Sequence, residues 1–140
     1  MSNKEQDEAI QSAVLQNRML EEYYADLQLR ENFLARILAE NKASIQSLES
    51  LDETKEMELA VPVGAGAYLF VQYSGARKVL LNVGSGVVME KPKSEAITFI
   101  EARVREIEQA LREVLRQKNE VGNRLSVLRD QLETGYRQQG

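Results

Sequence analysis

Residues 57–92 read MELAVPVGAGAYLFVQYSGARKVLLNVGSGVVMEKP, and this stretch decides the fold. It holds both prolines and five of the eight glycines in the chain. Between them lie four short runs of β-forming residues: Leu59–Val63, Tyr68–Tyr73, Val79–Val83 and Val87–Glu90. Gly64-Ala65-Gly66, Ser74-Gly75 and Gly84-Ser85-Gly86 punctuate them. Short strands parted by Gly turns predict two antiparallel β-hairpins. Alternation along a strand sends Tyr68 and Phe70 to one face and Leu69, Val71 and Tyr73 to the other, and it sets Val79, Leu81 and Val83 opposite Leu80. Both faces are therefore apolar. Strands of that kind need covering on both sides, and an isolated hairpin is at best marginally stable in water. The ends of two helices are expected to be too small a cover. Val61, Val63, Tyr68, Leu69, Phe70, Val71, Tyr73, Val79, Leu81, Val83 and Val87 are accordingly expected to form an oligomerisation surface.

On either side the period changes. Residues 6–53 contain no Gly and no Pro. A 3-4 spaced series runs through them: Ile10, Ala13, Asn17, Leu20, Tyr24, Leu27, Glu31, Leu34, Leu38, Asn41, Ile45 and Leu48. Residues 95–134 repeat the pattern with Ile97, Ile100, Val104, Ile107, Leu111, Val114, Lys118, Val121, Leu125, Leu128 and Leu132. Apolar residues sustained at this spacing over several heptads predict a coiled-coil seam in each segment. Ser94 stands where an N-cap is expected, Pro92 blocks helix continuation backwards, and Gly135 stands where the seam runs out. An insert with an even number of strands returns its ends to one place. The second helix is thus expected to run antiparallel to the first, with Leu48 near Ile97, Tyr24 near Val121 and Leu20 near Leu125. On that alignment Glu31 and Lys118, polar intruders in apolar seams, fall within about one layer of each other. A contact between them would fix the register; the competing reading has each side chain reaching out to water. Asn17 and Asn41 also interrupt the first seam.

The fold class predicted is α+β: a long antiparallel two-helix coiled coil with two β-hairpins between the helices, in one domain of 140 residues. Composition excludes much else. The chain has no Cys and no His, which removes disulfides, thiolate nucleophiles, Ser-His-Asp machinery and zinc sites built from those ligands. Net charge is −4, and Arg103, Arg105, Arg112, Arg116, Lys118, Arg124 and Arg129 are interleaved with acids. They read as a solvated helical face, not as a nucleic-acid interface. Gly64-Ala65-Gly66-Ala67-Tyr68-Leu69 lacks the third glycine of a dinucleotide loop and leads into a strand, so no nucleotide cofactor is expected. Paired acids such as Glu21-Glu22 have no cleft to shift their pKa, and an enzyme is not expected. No apolar run approaches the ~20 residues that span a bilayer, and no apolar signal segment opens the chain. The sequence is read as soluble and cytoplasmic, with no metal and no membrane or nucleic-acid partner.

Helix, two hairpins, helix resembles the α class of the prefoldin family of molecular chaperones. Val61-Pro62-Val63-Gly64-Ala65-Gly66 looks like that family's opening strand. Val83-Gly84-Ser85-Gly86-Val87 is similar to its inter-hairpin turn, and Glu90-Lys91 with Glu95-Ala96-Ile97 to the start of its second helix. The resemblance implies a hexamer of two α and four β subunits, whose hairpins assemble into a β-barrel platform. It also implies binding of unfolded polypeptides at the coiled-coil tips, without ATP, and delivery to a group II chaperonin. Here the tips are the two chain ends. Ile10, Val14, Leu15, Met19 and Leu20 are the candidate client contacts on the first helix, with Val121, Leu125, Val127, Leu128 and Leu132 on the second. Val14, Leu15, Met19 and Val127 lie off the seam and are expected to be exposed, and Gly122 is expected to loosen the tip. Two other functions fit the same pattern: a coiled-coil protein that builds filaments or scaffolds through its hairpins, and an adaptor that docks a partner helix along its seam.

Overall fold

The computed structural model describes residues 2–51, 55–75 and 78–139. Its elements run α1 (Asn3–Ser50), β1 (Met57–Gly64), β2 (Ala67–Tyr73), β3 (Lys78–Gly84), β4 (Val87–Pro92) and α2 (Lys93–Gln139). The helix boundaries differ from those expected, for local reasons. α1 starts earlier because Ser2 and Glu5 close a reciprocal capping box: the Glu5 amide donates to Ser2 Oγ, and the Ser2 amide donates to a Glu5 carboxylate oxygen, each at 3.3 Å. α1 ends at Ser50, and residues 52 and 53, the last of the expected helix, lie outside the described residues. α2 begins at Lys93, directly after Pro92 closes β4, so Ser94 lies inside the first turn. Gly135 does not end α2. The helix continues through it to Gln139, and the glycine instead faces Ile10, whose Cγ1 is 3.4 Å from where a Cβ would stand.

The residues pack as two compact units, one made of the chain up to Ile37 and from Ile107 onward, the other of Leu38–Glu106. In the first unit, Leu27, Val114 and Val121 are buried, with Leu20, Tyr24, Leu34 and Leu125 packed against them. Ile10 opposite Gly135, Glu31 opposite Lys118 and the Leu20–Leu125 end of the cluster give an antiparallel order. Every seam position named above, in either unit, is buried or half-buried. The 3-4 spacing thus identified the buried stripe residue by residue. Asn17 finds its partner along its own helix, donating to Glu21 Oε1 at 3.0 Å.

In the second unit, β1 pairs antiparallel with β2 and β3 with β4, as two separate two-stranded sheets. Each hairpin closes on a two-residue turn in which both central residues have positive φ: Ala65 (51°) with Gly66 (75°), and Ser85 (52°) with Gly86 (76°). That is the twist which matches right-handed strands. Each hairpin also carries one extra residue before the turn, where the register shifts between Pro62 and Gly64 and between Asn82 and Gly84. The bulge places Gly64 at φ 109° and Gly84 at φ 117°, a conformation that side chains disfavour.

One expectation about cover fails for the second hairpin. Val79, Leu81 and Val83 do not wait for a partner: this chain's own helices cover them. Leu81 is buried with Ala96, Ile100 and Val104, and Leu38, Ile45, Leu48 and Phe99 pack around the cluster. Fully burying one such aliphatic side chain is worth about 1.5–3 kcal/mol. Arg103 strengthens the attachment. Its guanidinium stacks over Phe99, 4.9 Å from the ring centroid, and donates to the Asn82 carbonyl at 3.0 Å. Lys93 Nζ donates to the Leu51 carbonyl at 2.5 Å, tying the start of α2 to the end of α1. On the first hairpin Val61, Val63, Tyr68, Leu69, Phe70 and Val71 all remain exposed, as do Val87 and Leu80 on the second; Tyr73 is half-buried.

Candidate functional site

The apolar groove of the first unit lies between α1 and α2. Gln16, Met19 and Leu20 line one wall, and Asn123, Arg124, Val127, Leu128 and Gln131 the other. Four of the residues singled out as client contacts therefore meet around one depression: Met19, Leu20, Val127 and Leu128. Met19 and Val127 are its accessible part, 61% and 56% exposed. Leu20 and Leu128 form its floor, half-buried and buried in the seam. A smaller groove nearer the chain ends is lined by Gln6, Ala9, Ile10 and Ala13 with Gln131, Leu132 and Gly135. Leu15 and Val14 are exposed on α1 outside both grooves. Val121 is buried and offers no surface while the helices are paired, and Leu125 packs beside it half-buried. Gly122 has nothing within 4 Å of a Cβ position, and α2 runs through it as an unbroken helix.

Below the groove the seam carries the polar node that the alignment anticipated. Lys118 Nζ lies 2.5 Å from Glu31 Oε2 and donates to Gln28 Oε1 at 2.7 Å, with the Tyr24 ring centroid 5.2 Å away. The ammonium is held across the seam, not sent out to water. The hydrogen bond to Glu31 raises the Lys118 pKa above its ordinary value, against an opposing desolvation. A raised lysine pKa stabilises the fold fully below the unfolded value of about 10.4, and that contribution is lost only as pH rises through the folded value. The ammonium therefore keeps its charge throughout the neutral range. On the outer face of α2, Arg116 bridges Glu113 and Glu120 at 2.5 Å each, which holds the Glu113 carboxyl below its usual range. This is the solvated charged face read from the sequence; Lys118, in the seam, and Arg103, against Phe99 and Asn82, are members of that series that depart from it.

Leu29 and Phe33 lie outside the 3-4 series. They sit on α1, 67% and 52% exposed, and Arg36 stacks over the Phe33 ring at 5.6 Å. The signal was available: two large apolar residues at i and i+4, off the 3-4 series, have no role in the seam. Among the described residues no helix is long and apolar enough to cross a membrane.

Paired helices locked by an inter-helical Lys–Glu contact, and hairpins with exposed apolar residues, define a coiled-coil assembly subunit. The chain belongs to the prefoldin family of chaperones: the family model for a prefoldin subunit matches residues 20–138. Among curated proteins, the prefoldin subunit alpha of Nitrosopumilus maritimus is 37% identical over 125 residues, covering 89% of this chain and 83% of the relative. That of Methanoregula boonei is 34% identical over 125 residues, covering 84% and 74%. Among solved structures, filamentous PFD from Methanocaldococcus jannaschii, determined by cryo-EM, shares the fold with a TM-score of 0.50 and 23% identity, over 89% of this chain and 98% of that one.

Proposed function

We propose that this chain is the α-class subunit of a cytoplasmic prefoldin that holds non-native polypeptides without ATP and delivers them to a group II chaperonin. The observation that carries the reading is the groove in which Met19, Leu20, Val127 and Leu128 converge, apolar at its floor and open at its rim. A thioether and branched aliphatics suit a site that must accept many sequences, because Met adapts its shape at low cost. Several such grooves in one assembly would act together through effective concentration, so each can bind weakly. The bare first hairpin supports assembly with β subunits, two α to four β, with the hairpins joined in a barrel platform.

The test uses the full chain with its co-purifying subunits. Met19→Ser with Val127→Ser should leave the native mass of the complex unchanged and weaken ATP-free suppression of client aggregation several-fold. Undiminished suppression would remove the groove from the mechanism. A ladder of homo-oligomers in native mass, in place of a closed complex with a second subunit, would instead favour the filament or scaffold function.

A further inference from the structure

An exposed flank of α1, bordering the groove at Met19, carries a second apolar stripe. At 100° per residue, Leu15, Met19, Leu29 and Phe33 fall within one quadrant of the helix, about 120° around from the centre of the seam at Leu20, Leu27 and Leu34. All four are more than half exposed. The stripe is interrupted in its middle by Glu22 and Asp26, which occupy the same quadrant and are exposed. Neither carboxylate takes part in an ion pair or hydrogen bond among the described residues, although Arg18 and Arg30 lie one turn away on the flanks. The arrangement is therefore two apolar patches with an unneutralised acidic pair between them.

We propose that this stripe is a docking surface for an unfolded segment in which two apolar side chains bracket a Lys or Arg. Charge complementarity sets the centre of the motif, since Glu22 and Asp26 present two carboxylates that take no hydrogen bond or ion pair among the described residues. Geometry sets its length. Met19 and Leu29 are separated by ten residues of helix, about 15 Å along the axis. An extended chain covers that distance in about four to five residues, so the occupant reads apolar-x-basic-x-apolar. The proposal rests on the holdase reading for its biological setting and deepens it, because a purely apolar groove does not discriminate among clients by charge. The acids exclude acidic segments through like-charge repulsion and admit basic ones, with an effect that added salt screens.

The experiment uses the full chain with its co-purifying subunits and three fluorescein-labelled peptides, alike except for Lys, Gln or Glu at the centre of a Leu-x-centre-x-Phe motif. Binding is read by fluorescence anisotropy at low and high salt. The Lys peptide should bind about fivefold tighter than the Glu peptide at low salt, and the gap should close at high salt. Glu22→Gln with Asp26→Asn should abolish the preference and leave the Gln peptide unchanged. Leu29→Gln with Phe33→Gln, which removes exposed surface only and keeps residues that tolerate a helix, should weaken all three peptides several-fold at unchanged helicity. Absence of a charge preference, or its survival in the acid-neutralised variant, overturns the proposal. So does unchanged affinity in the Leu29/Phe33 variant. A fall in the native mass of that variant overturns it in favour of an interface between copies of the chain. Peptide binding lost only in a Val127→Ser variant, whose residue lines the groove and lies outside the stripe, leaves the groove standing and overturns the stripe. A preserved charge preference in a complex that suppresses no aggregation overturns the holdase reading and leaves the stripe standing.

Discussion

The two hairpins are near copies set twenty residues apart, from Gly64 to Gly84, and they meet opposite fates. Both use a Gly-x-Gly turn with Ala65 or Ser85 at positive φ, both carry the extra residue before it, and both present Val63 or Val83 at that bulge. Leu81 is 8% exposed against Ala96, Ile100 and Val104, whereas Val61, its counterpart in the first hairpin, is 40% exposed. At the next pair of positions along β2 and β4, Phe70 is matched by Glu90. Local sequence is thus sufficient to make a hairpin, and it does not decide what covers one. The second hairpin has a covered face and a more polar outer strand. The first remains apolar on both faces, which is the condition of a surface kept for another chain.

The largest effect that separates them is a core truncation. Leu81→Ala should destabilise the subunit by about 3 kcal/mol in urea unfolding, while Val61→Ala should stay within about 0.5 kcal/mol. Equal losses would break the comparison. Next is Phe70→Asp, which should leave the subunit's own unfolding unchanged and weaken assembly about a hundredfold, roughly 2.7 kcal/mol, read by native mass across a dilution series. An intact complex at every dilution would show that the first hairpin is not the joining surface. Gly64→Ala and Gly84→Ala should each cost about 1–2 kcal/mol, because both sit beyond φ 100° where a side chain is strained. A large difference between these two would mean that the turns are not equivalent after all. The smallest effect is a gain. Ser85→Gly and Ala65→Gly should each raise stability by about 0.5 kcal/mol by relieving a non-glycine residue at positive φ, and a matched pair of gains sharpens the view that the turns share one code.

Much of the architecture was legible because it is periodic. The 3-4 series marked the buried stripe of both helices, and the antiparallel alignment brought Glu31 to Lys118, since one pairing of seams leaves both charges a partner. The Gly clusters located both turns. The rest depended on information that a period does not contain. The cover over Val79, Leu81 and Val83 comes from Ala96 and Ile100, far along the chain, and Arg103 looked like one more solvated charge until Phe99 and Asn82 were seen beside it. The helix starts were missed by two or three residues because Ser2 and Glu5, a capping pair, precede any periodic signal, and because Pro92 ends a strand immediately before α2. At the candidate site the off-seam residues Met19 and Val127 could be read as accessible. Leu29 and Phe33 could not be assigned from the seam, since a stripe on the flank of a coiled-coil helix has no partner in the heptad pattern.

The Lys118–Glu31 contact has a mechanical consequence. Sliding one helix past the other by a heptad would carry the ammonium about 10 Å from its carboxylate and strand both charges half-buried. The helix pair of the first unit therefore has a single setting lengthwise, like a ratchet with one tooth. Motion that remains open to it is parting of the helices beyond Leu20 and Leu125, toward the free ends. Under the proposed holdase function, a guest entering there would wedge the strands of the coil apart without ever shifting their phase, and on its release they would close again in the same alignment.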